Sequence, residues 1–255
     1  MQYNYQYFVD FCGTHLSGTE KALDFGCGKG GLVEACQKLD LDVYGTDIFY
    51  KDGGTREDVK KRGLYGTKVK EINDGIIDFP DDMFSLVVSN QVFEHVQNLD
   101  QAVSEIARVM KPGAVLHTLF PVRETWWEGH FGLPFIQHFP KDSQLRIRYA
   151  KLYYRFGGYH RKNRSPQEWA EYICNWIDEY TCYRSLRDIL DILQKHGFVT
   201  ELTDESYVKQ RFIKSISSKS ALLGRLFGTG IGTWLLRKVY FRRGGVVISA
   251  KLAES

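Results

Sequence analysis

Residues 24–31 read Asp-Phe-Gly-Cys-Gly-Lys-Gly-Gly, between a short apolar run and a helical stretch. No other feature constrains the fold as much. Glycines allow a tight strand-to-helix turn and let a ligand approach the backbone closely. The helix predicted over 31–39 carries Leu32, Ala35 and Cys36 on one face and offers free N–H groups at its start. Asp47 stands 21 residues after Gly26, where a second strand is predicted to end. A carboxylate there can accept hydrogen bonds from both hydroxyls of a ribose. The turn is therefore read as the cradle of a nucleotide-type cofactor.

The rest of the chain supports that context. An aromatic-rich helix is predicted over 3–16. Strands are predicted at 22–25, 41–46, 67–72, 84–89 and 114–120, the fourth containing Leu-Val-Val. Asn98 and Gln101 have capping-box spacing ahead of the helical stripe Leu99, Ala102, Val103, Ile106 and Met110. Lys111-Pro112-Gly113 should stop that helix. A second stripe, Leu186, Ile189, Leu190 and Leu193, ends at Gly197, followed by strands at 198–202 and, after Gly244-Gly245, at 246–251. Such alternation implies right-handed βαβ units and a parallel sheet. The chain reads as one α/β domain over 1–255 with insertions at 121–182 and 208–243.

Spacing alone does not choose the cofactor. Gly26, Gly28 and Gly31 satisfy the dinucleotide pattern G-x-G-x-x-G, and Gly26, Gly28 and Gly30 satisfy G-x-G-x-G. Asp24 separates the two. An acid two residues before the first glycine would repel a pyrophosphate but would suit a sulfonium cofactor with an amino acid tail. This favours S-adenosylmethionine over the nicotinamide dinucleotide of an oxidoreductase.

The segment Ala22-Leu23-Asp24-Phe25-Gly26-Cys27-Gly28-Lys29-Gly30 resembles motif I of class I S-adenosylmethionine-dependent methyltransferases. The likeness runs on through Asp47, Asn73-Asp74 to Phe79-Pro80, Phe84 to Asn90, Phe93-Glu94-His95-Val96 and Leu99 to Gly113. That order is similar to the type-11 methyltransferase domain, and Ser85 departs from it where the family usually carries Asp. The resemblance implies a doubly wound Rossmann-like sheet of seven strands, six parallel and one antiparallel. It also implies S-adenosylmethionine as cofactor, S-adenosylhomocysteine as product and no metal. It assigns Asp24, Gly26, Cys27, Gly28 and Gly30 to the methionine end and Asp47 to the ribose, with Ile48 beside the adenine. Asp74 would accept from the adenine amino group, with Gly75 or Ile76 adding a backbone contact. Asn90 and Gln91 would border the sulfonium.

Methyl transfer to a hydroxyl needs placement of the nucleophile and a base for its proton. His95, after the fourth strand's tip, is the first candidate base, with a capping role as its alternative. His130 and His138, in the first insertion, are further candidates. Glu94 could orient His95 or act as a cap. No spacing suggests a metal site.

Charge is unevenly distributed. Residues 141–164 hold eight Lys/Arg and one acid, and residues 206–243 hold nine Lys/Arg and no acid, leaving the remainder at −13 of a total of +3. Residues 120–183 hold sixteen aromatics, one residue in four against 14% overall. Both insertions leave from the strands' C-terminal edge, so they are expected to cap the substrate pocket. Trp126, Trp127, Arg146, Arg148 and Arg155 are the predicted acceptor contacts. Aromatics with positive charge suit a small or lipid-linked anionic acceptor, with O-methylation favoured and RNA disfavoured for want of a recognisable RNA-binding domain. A silent cofactor-binding subunit with a basic face is the alternative from another class. Residues 219–243 are too glycine-rich to span a bilayer and could lie on an anionic one. The first ten residues lack the features of a secretory signal, and five cysteines without a C-x-x-C pair fit a reducing compartment. A cytoplasmic location, in contact with the inner face of a membrane, is expected.

Overall fold

The structure, a computed structural model, describes residues 3–50, 55–213 and 220–254. Its central sheet has the strands β1 (Ala22–Phe25), β2 (Val43–Asp47), β3 (Val69–Glu71), β4 (Phe84–Asn90), β5 (Met110–Phe120), β6 (Phe198–Leu202) and β7 (Val246–Leu252). They hydrogen-bond in the order β3–β2–β1–β4–β5–β7–β6, and β7 runs antiparallel to both neighbours while the other pairs are parallel. All four residues of β1 and most of β4 are buried, as expected of parallel strands covered on both faces.

The helices are α1 (Tyr3–His15), α2 (Gly31–Gln37), α3 (Thr55–Lys61), α4 (Leu99–Val109), α5 (Gln144–Tyr153), α6 (Pro166–Tyr180), α7 (Leu186–Lys195), α8 (Asp204–Val208), α9 (Ala221–Gly228) and α10 (Gly230–Arg243). One core joins Leu23, Phe25 and Val87 to Val103 and Ile106 of α4 and Ile189 and Leu193 of α7. A second, on the other face, joins Ala22, Leu86 and Val88 to Phe8 of α1, Val33 of α2 and Tyr207 of α8. A third belongs to the first insertion, where Phe131, Leu133, Ala150, Trp169 and Ile173 pack together. Its Trp169 is fully buried and donates Nε1–H to the Tyr159 carbonyl at 2.7 Å.

Two local expectations change. Strand β5 begins at Met110, because Met110 pairs with Phe84 before a register shift that carries the ladder to Leu86–Val115. Lys111-Pro112-Gly113 lies within that irregularity, a place in a ladder where proline is tolerated. At α4, Asn98 Oδ1 accepts from Gln101 N at 3.2 Å, but Gln101 Oε1 accepts from the Asn98 side-chain Nδ2 at 3.1 Å rather than from its backbone N–H, while Gln101 Nε2 donates to the Asp74 carbonyl at 3.1 Å. Only half a capping box forms there, whereas Ser165/Glu168 and Ser185/Asp188 complete theirs at α6 and α7.

The topology locates the ligand crevice. The chain moves to one side of β1 through β2 and to the other through β4, so their C-terminal ends form the switch point of the sheet. Strand β7 reaches the same edge, because Val246 pairs with Phe120. Gly245 (φ 111°) makes that entry possible, since a Cβ there would collide with the Phe120 carbonyl.

Helix α1 is tied to the sheet through His117 of β5. Its Nε2 lies 2.9 Å from Tyr7 Oη, its Nδ1 2.7 Å from Ser249 Oγ, and its ring stacks on Phe11 at 3.7 Å. Burial pushes its pKa down to about 3. A histidine neutral in the fold but free to protonate when unfolded stabilises fully above about pH 6.5, and that contribution falls as pH drops toward 3. At pH 5 the loss relative to neutral pH is about 2 kcal/mol. Urea unfolding at pH 7 and pH 5 should show it, and the His117→Leu variant should be less pH-sensitive by that amount. An equal pH effect in both proteins would contradict this account.

Candidate active site

A cavity of about 540 Å³ opens at the switch point. Gly26 and Gly28 of the turn, Asp47 and Ile48 beyond β2, Gly75, Gln91 and His95 all line it. Gly28 (φ 52°) faces open space where a Cβ would stand, so its backbone is bare to a ligand. Gly26 instead packs its Cα face against Val92.

Asp47 shapes the turn. Its Oδ2 accepts from Gly28 N at 2.8 Å and its Oδ1 from Phe49 N at 2.8 Å. A carboxylate has about four lone-pair sites, so acceptor capacity remains toward the cavity. Burial pushes the Asp47 pKa up, against those two backbone bonds. Asp24, at the end of β1, is wholly buried, and desolvation followed by repulsion from Asp47 pushes its carboxyl up to about 8. Asp47 lines the cavity and Asp24 does not, so a ligand carrying a cationic amine would meet Asp47 directly and act on Asp24 only through space.

Several residues expected at the cofactor lie elsewhere. Cys27 donates its N–H to the Thr46 carbonyl at 3.0 Å, and its side chain is buried against Gly45, where a Cβ would come within 2.9 Å of Cβ and Sγ. It therefore packs the turn. Gly30 (φ 71°) begins α2 and faces Leu64 and Val59, so it shapes the helix start. Asn90 Oδ1 accepts from Asn4 Nδ2 at 3.3 Å on the α1 side. Asp74 is exposed at the rim, holding Gln101 through its carbonyl, and Ile76 is 56% exposed.

The far end of the cavity is chemically different. His95 Nδ1 lies 2.6 Å from the Tyr180 carbonyl, which can only accept. Nδ1 therefore carries the proton, and Nε2 keeps a lone pair in the neutral ring. Burial pushes the His95 pKa below its ordinary value. His130 belongs to the cap and stacks edge-on to His95 at 5.0 Å. Its Nδ1 lies 2.6 Å from Glu128 Oε1. Glu128 also accepts from the His130 and Phe131 N–H groups and the Tyr183 hydroxyl at 2.7–3.2 Å, which suits an ionised carboxylate. Glu94 is buried with neither oxygen partnered among the described residues, and its Oε1 is 3.8 Å from His95 Nε2. Burial pushes its carboxyl up to about 8. Potential metal-ligating atoms of Glu94, His95 and His130 all lie within 4.8 Å of one another, a grouping that no local spacing announces.

The cap meets this end through residues the sequence reading did not single out. Trp176 lies 4.8 Å from the His130 ring, Tyr180 supplies the carbonyl to His95, and Tyr50 lines the cavity. Trp126 is 47% exposed, and neither it nor Trp127 lines the cavity. Arg146 is buried with one nitrogen on both Asp178 oxygens at 2.6 and 2.8 Å, which makes it part of the cap's framework. Arg148 and Arg155 are exposed on and beside α5, and His138 is exposed after the cap's two-stranded ribbon, in which Trp127–Glu128 pairs with Leu133–Pro134. None of these reaches the cavity, and among the described residues no lysine or arginine lines it.

This sheet order and crevice define a Rossmann-like α/β architecture. Residues 23–118 match the methyltransferase domain family model. A ubiquinone biosynthesis O-methyltransferase from Methylococcus capsulatus is 31% identical over 104 residues, covering 40% of this chain and 44% of that protein. The sterol 24-C-methyltransferase ERG6B of Gibberella zeae is 34% identical over 99 residues, 37% of this chain and 26% of the other. An ajmaline N-methyltransferase from Rauvolfia serpentina is 27% identical over 112 residues, 43% and 38% respectively. The matches thus span less than half of these relatives. Among solved structures, the YcgJ protein of Bacillus subtilis superposes with a TM-score of 0.52 at 12% identity over the whole of both chains. The [4+2]-cyclase SpnF does so at 0.52 and 15%, covering 98% of this chain and 82% of the other. These structural likenesses show the fold alone.

The buried Asp24 gives a proton signature. With a carboxyl near 8, binding an ammonium-bearing ligand at pH 7 should release a proton count approaching one. Calorimetric titration with S-adenosylmethionine in phosphate and in Tris should then give different apparent enthalpies. The difference should disappear in Asp24→Asn. Equal enthalpies in both buffers for the unmodified protein would contradict the assignment.

Proposed function

We propose that this chain is an S-adenosylmethionine-dependent methyltransferase acting on a hydroxyl of a small or lipid-linked acceptor, with His95 as the base. One observation carries the reading: the crevice holding Gly28 and Asp47 ends at a histidine whose Nδ1 is fixed, leaving Nε2 able to take a proton. The family match over residues 23–118 supports the cofactor. The relatives named above methylate at O, C and N by their names, so the base, rather than the family, favours oxygen here.

When bound, S-adenosylmethionine supplies a methyl group on cationic sulfur, already activated for displacement. Asp47 would hold the ribose hydroxyls, and the Gly28 backbone would lie against the ligand. The acceptor oxygen needs to sit about 3 Å from the methyl carbon, in line with sulfur. As the C–O bond forms and the C–S bond breaks, the hydroxyl proton passes to His95 Nε2. The Tyr180 carbonyl fixes the ring for this, and the Glu128 carboxylate stabilises the positive charge that develops. Because His95 titrates below its ordinary value, it is unprotonated and ready at neutral pH.

A silent cofactor-binding subunit would bind the cofactor and turn over no acceptor. It lacks an explanation for a fixed, deprotonated imidazole at the cavity's end.

Removing a positioned base costs about 10²–10⁴-fold in rate. The His95→Gln variant should lose kcat in that range while keeping its affinity for S-adenosylhomocysteine. For the unmodified enzyme, log kcat/KM should fall only below about pH 6.5, the ordinary histidine value. Full activity of His95→Gln would make His95 structural. Activity lost in EDTA and restored by a divalent ion would transfer its role to a metal on Glu94, His95 and His130.

A further inference from the structure

Helix α10 presents an exposed face that no element covers among the described residues. Ile231 is 76% exposed, Trp234 54%, Leu235 47% and Val239 59%, at the i, i+3, i+4 and i+8 positions of one helix side. Lys238, Arg242 and Arg243 are exposed on the same side. The opposite side is satisfied within the fold. Thr233 and Tyr240 are buried, and Arg237 is bound to Asp204 at 2.7 Å and Glu205 at 3.3 Å. The exposed apolar side is therefore surplus to folding.

These three cations are arranged with aromatic rings, and Arg242 also donates to the Glu124 carbonyl at 3.5 Å. Lys238 lies 5.6 Å from the Trp234 ring centre, Arg242 5.4 Å from Trp126 and Arg243 5.1 Å from Trp127. Trp126 N also donates to the Arg242 carbonyl. Trp126 in turn stands 5.6 Å from Phe135, itself 44% exposed. The apolar surface thus continues from α10 onto the cap's ribbon. It also sits at the sheet's C-terminal edge, where β7 starts beside Phe120.

We infer that this face of α10, with Trp126 and Phe135, docks on an anionic lipid bilayer surface. The intermixing of charge and apolar surface selects the occupant. Residues 206–243 contain no acid, so a second copy applied to this face would oppose cation to cation. At a lipid surface the same side chains are compatible. Long basic side chains lay their stems along the apolar layer and reach phosphates with their heads, while tryptophan favours the headgroup level. The contact is peripheral: among the described residues no helix is long and apolar enough to cross a membrane. It would bring the cavity edge close to a lipid-linked acceptor, although the docking itself does not rest on the proposed activity.

The test is co-sedimentation of the full chain with vesicles of phosphatidylcholine alone and with about 30% phosphatidylglycerol, at low and high salt. Binding to the anionic vesicles, weakened by salt, is expected. The double variant Trp234→Ser/Leu235→Ser should weaken partitioning at least tenfold. The triple variant Lys238→Gln/Arg242→Gln/Arg243→Gln should weaken it by about fivefold per charge. Circular dichroism and thermal melts would verify that both variants remain folded. No sedimentation with anionic vesicles, or binding unchanged in both variants, would overturn the proposal. So would a concentration-dependent dimer by light scattering that Trp234→Ser/Leu235→Ser abolishes.

Discussion

The arrangement of the crevice depends on one half-buried carboxylate. Asp47 reaches across from the end of β2 and accepts the Gly28 and Phe49 N–H groups, so it holds the glycine turn against the neighbouring strand end. A backbone N–H buried without a partner costs free energy comparable to a lost hydrogen bond. The turn and the acid therefore specify one another. Asp24 lies buried beside it, and desolvation together with Asp47 pushes its carboxyl up to about 8. Burial of two acids makes little sense as a folding device and good sense as preparation for charge of the opposite sign.

Much of the sheet was legible because its signals are local. The apolar runs of β1 and β4, the Asn98 N-cap and the stop at Gly197 each act over a few residues. Gly28, Asp47, Gly75 and Gln91 likewise follow strand ends, where topology sends them to the crevice. The cap is different. Arg146 read as an acceptor contact because nothing near it in sequence reveals Asp178, 32 residues on. Cys27 and Gly30 sit in the motif but face the protein, since a tight turn must alternate the sides it presents.

The histidine cluster shows the same division at the reacting end. His95 follows β4, but its orientation comes from Tyr180, 85 residues later, and its neighbour His130 is held by Glu128 of the cap. Glu128 and His130 are only two residues apart, a signal available in the sequence. Without knowledge of which way the ribbon folds it carried no direction. The Rossmann-like half thus provides the cofactor cradle, while the insertion fixes the groups that would handle the acceptor. Folds of this type host varied chemistry, and the difference resides in such additions.

The central claim is that the crevice built on Gly28 and Asp47 is an adenosyl site. The most direct measurement is calorimetric titration of the chain with S-adenosylhomocysteine and, in parallel, with NADH, repeated on Asp47→Ala. The account predicts saturable binding of S-adenosylhomocysteine, no binding of NADH, and loss of the first in the variant. NADH binding in place of S-adenosylhomocysteine, or binding indifferent to Asp47, would contradict it.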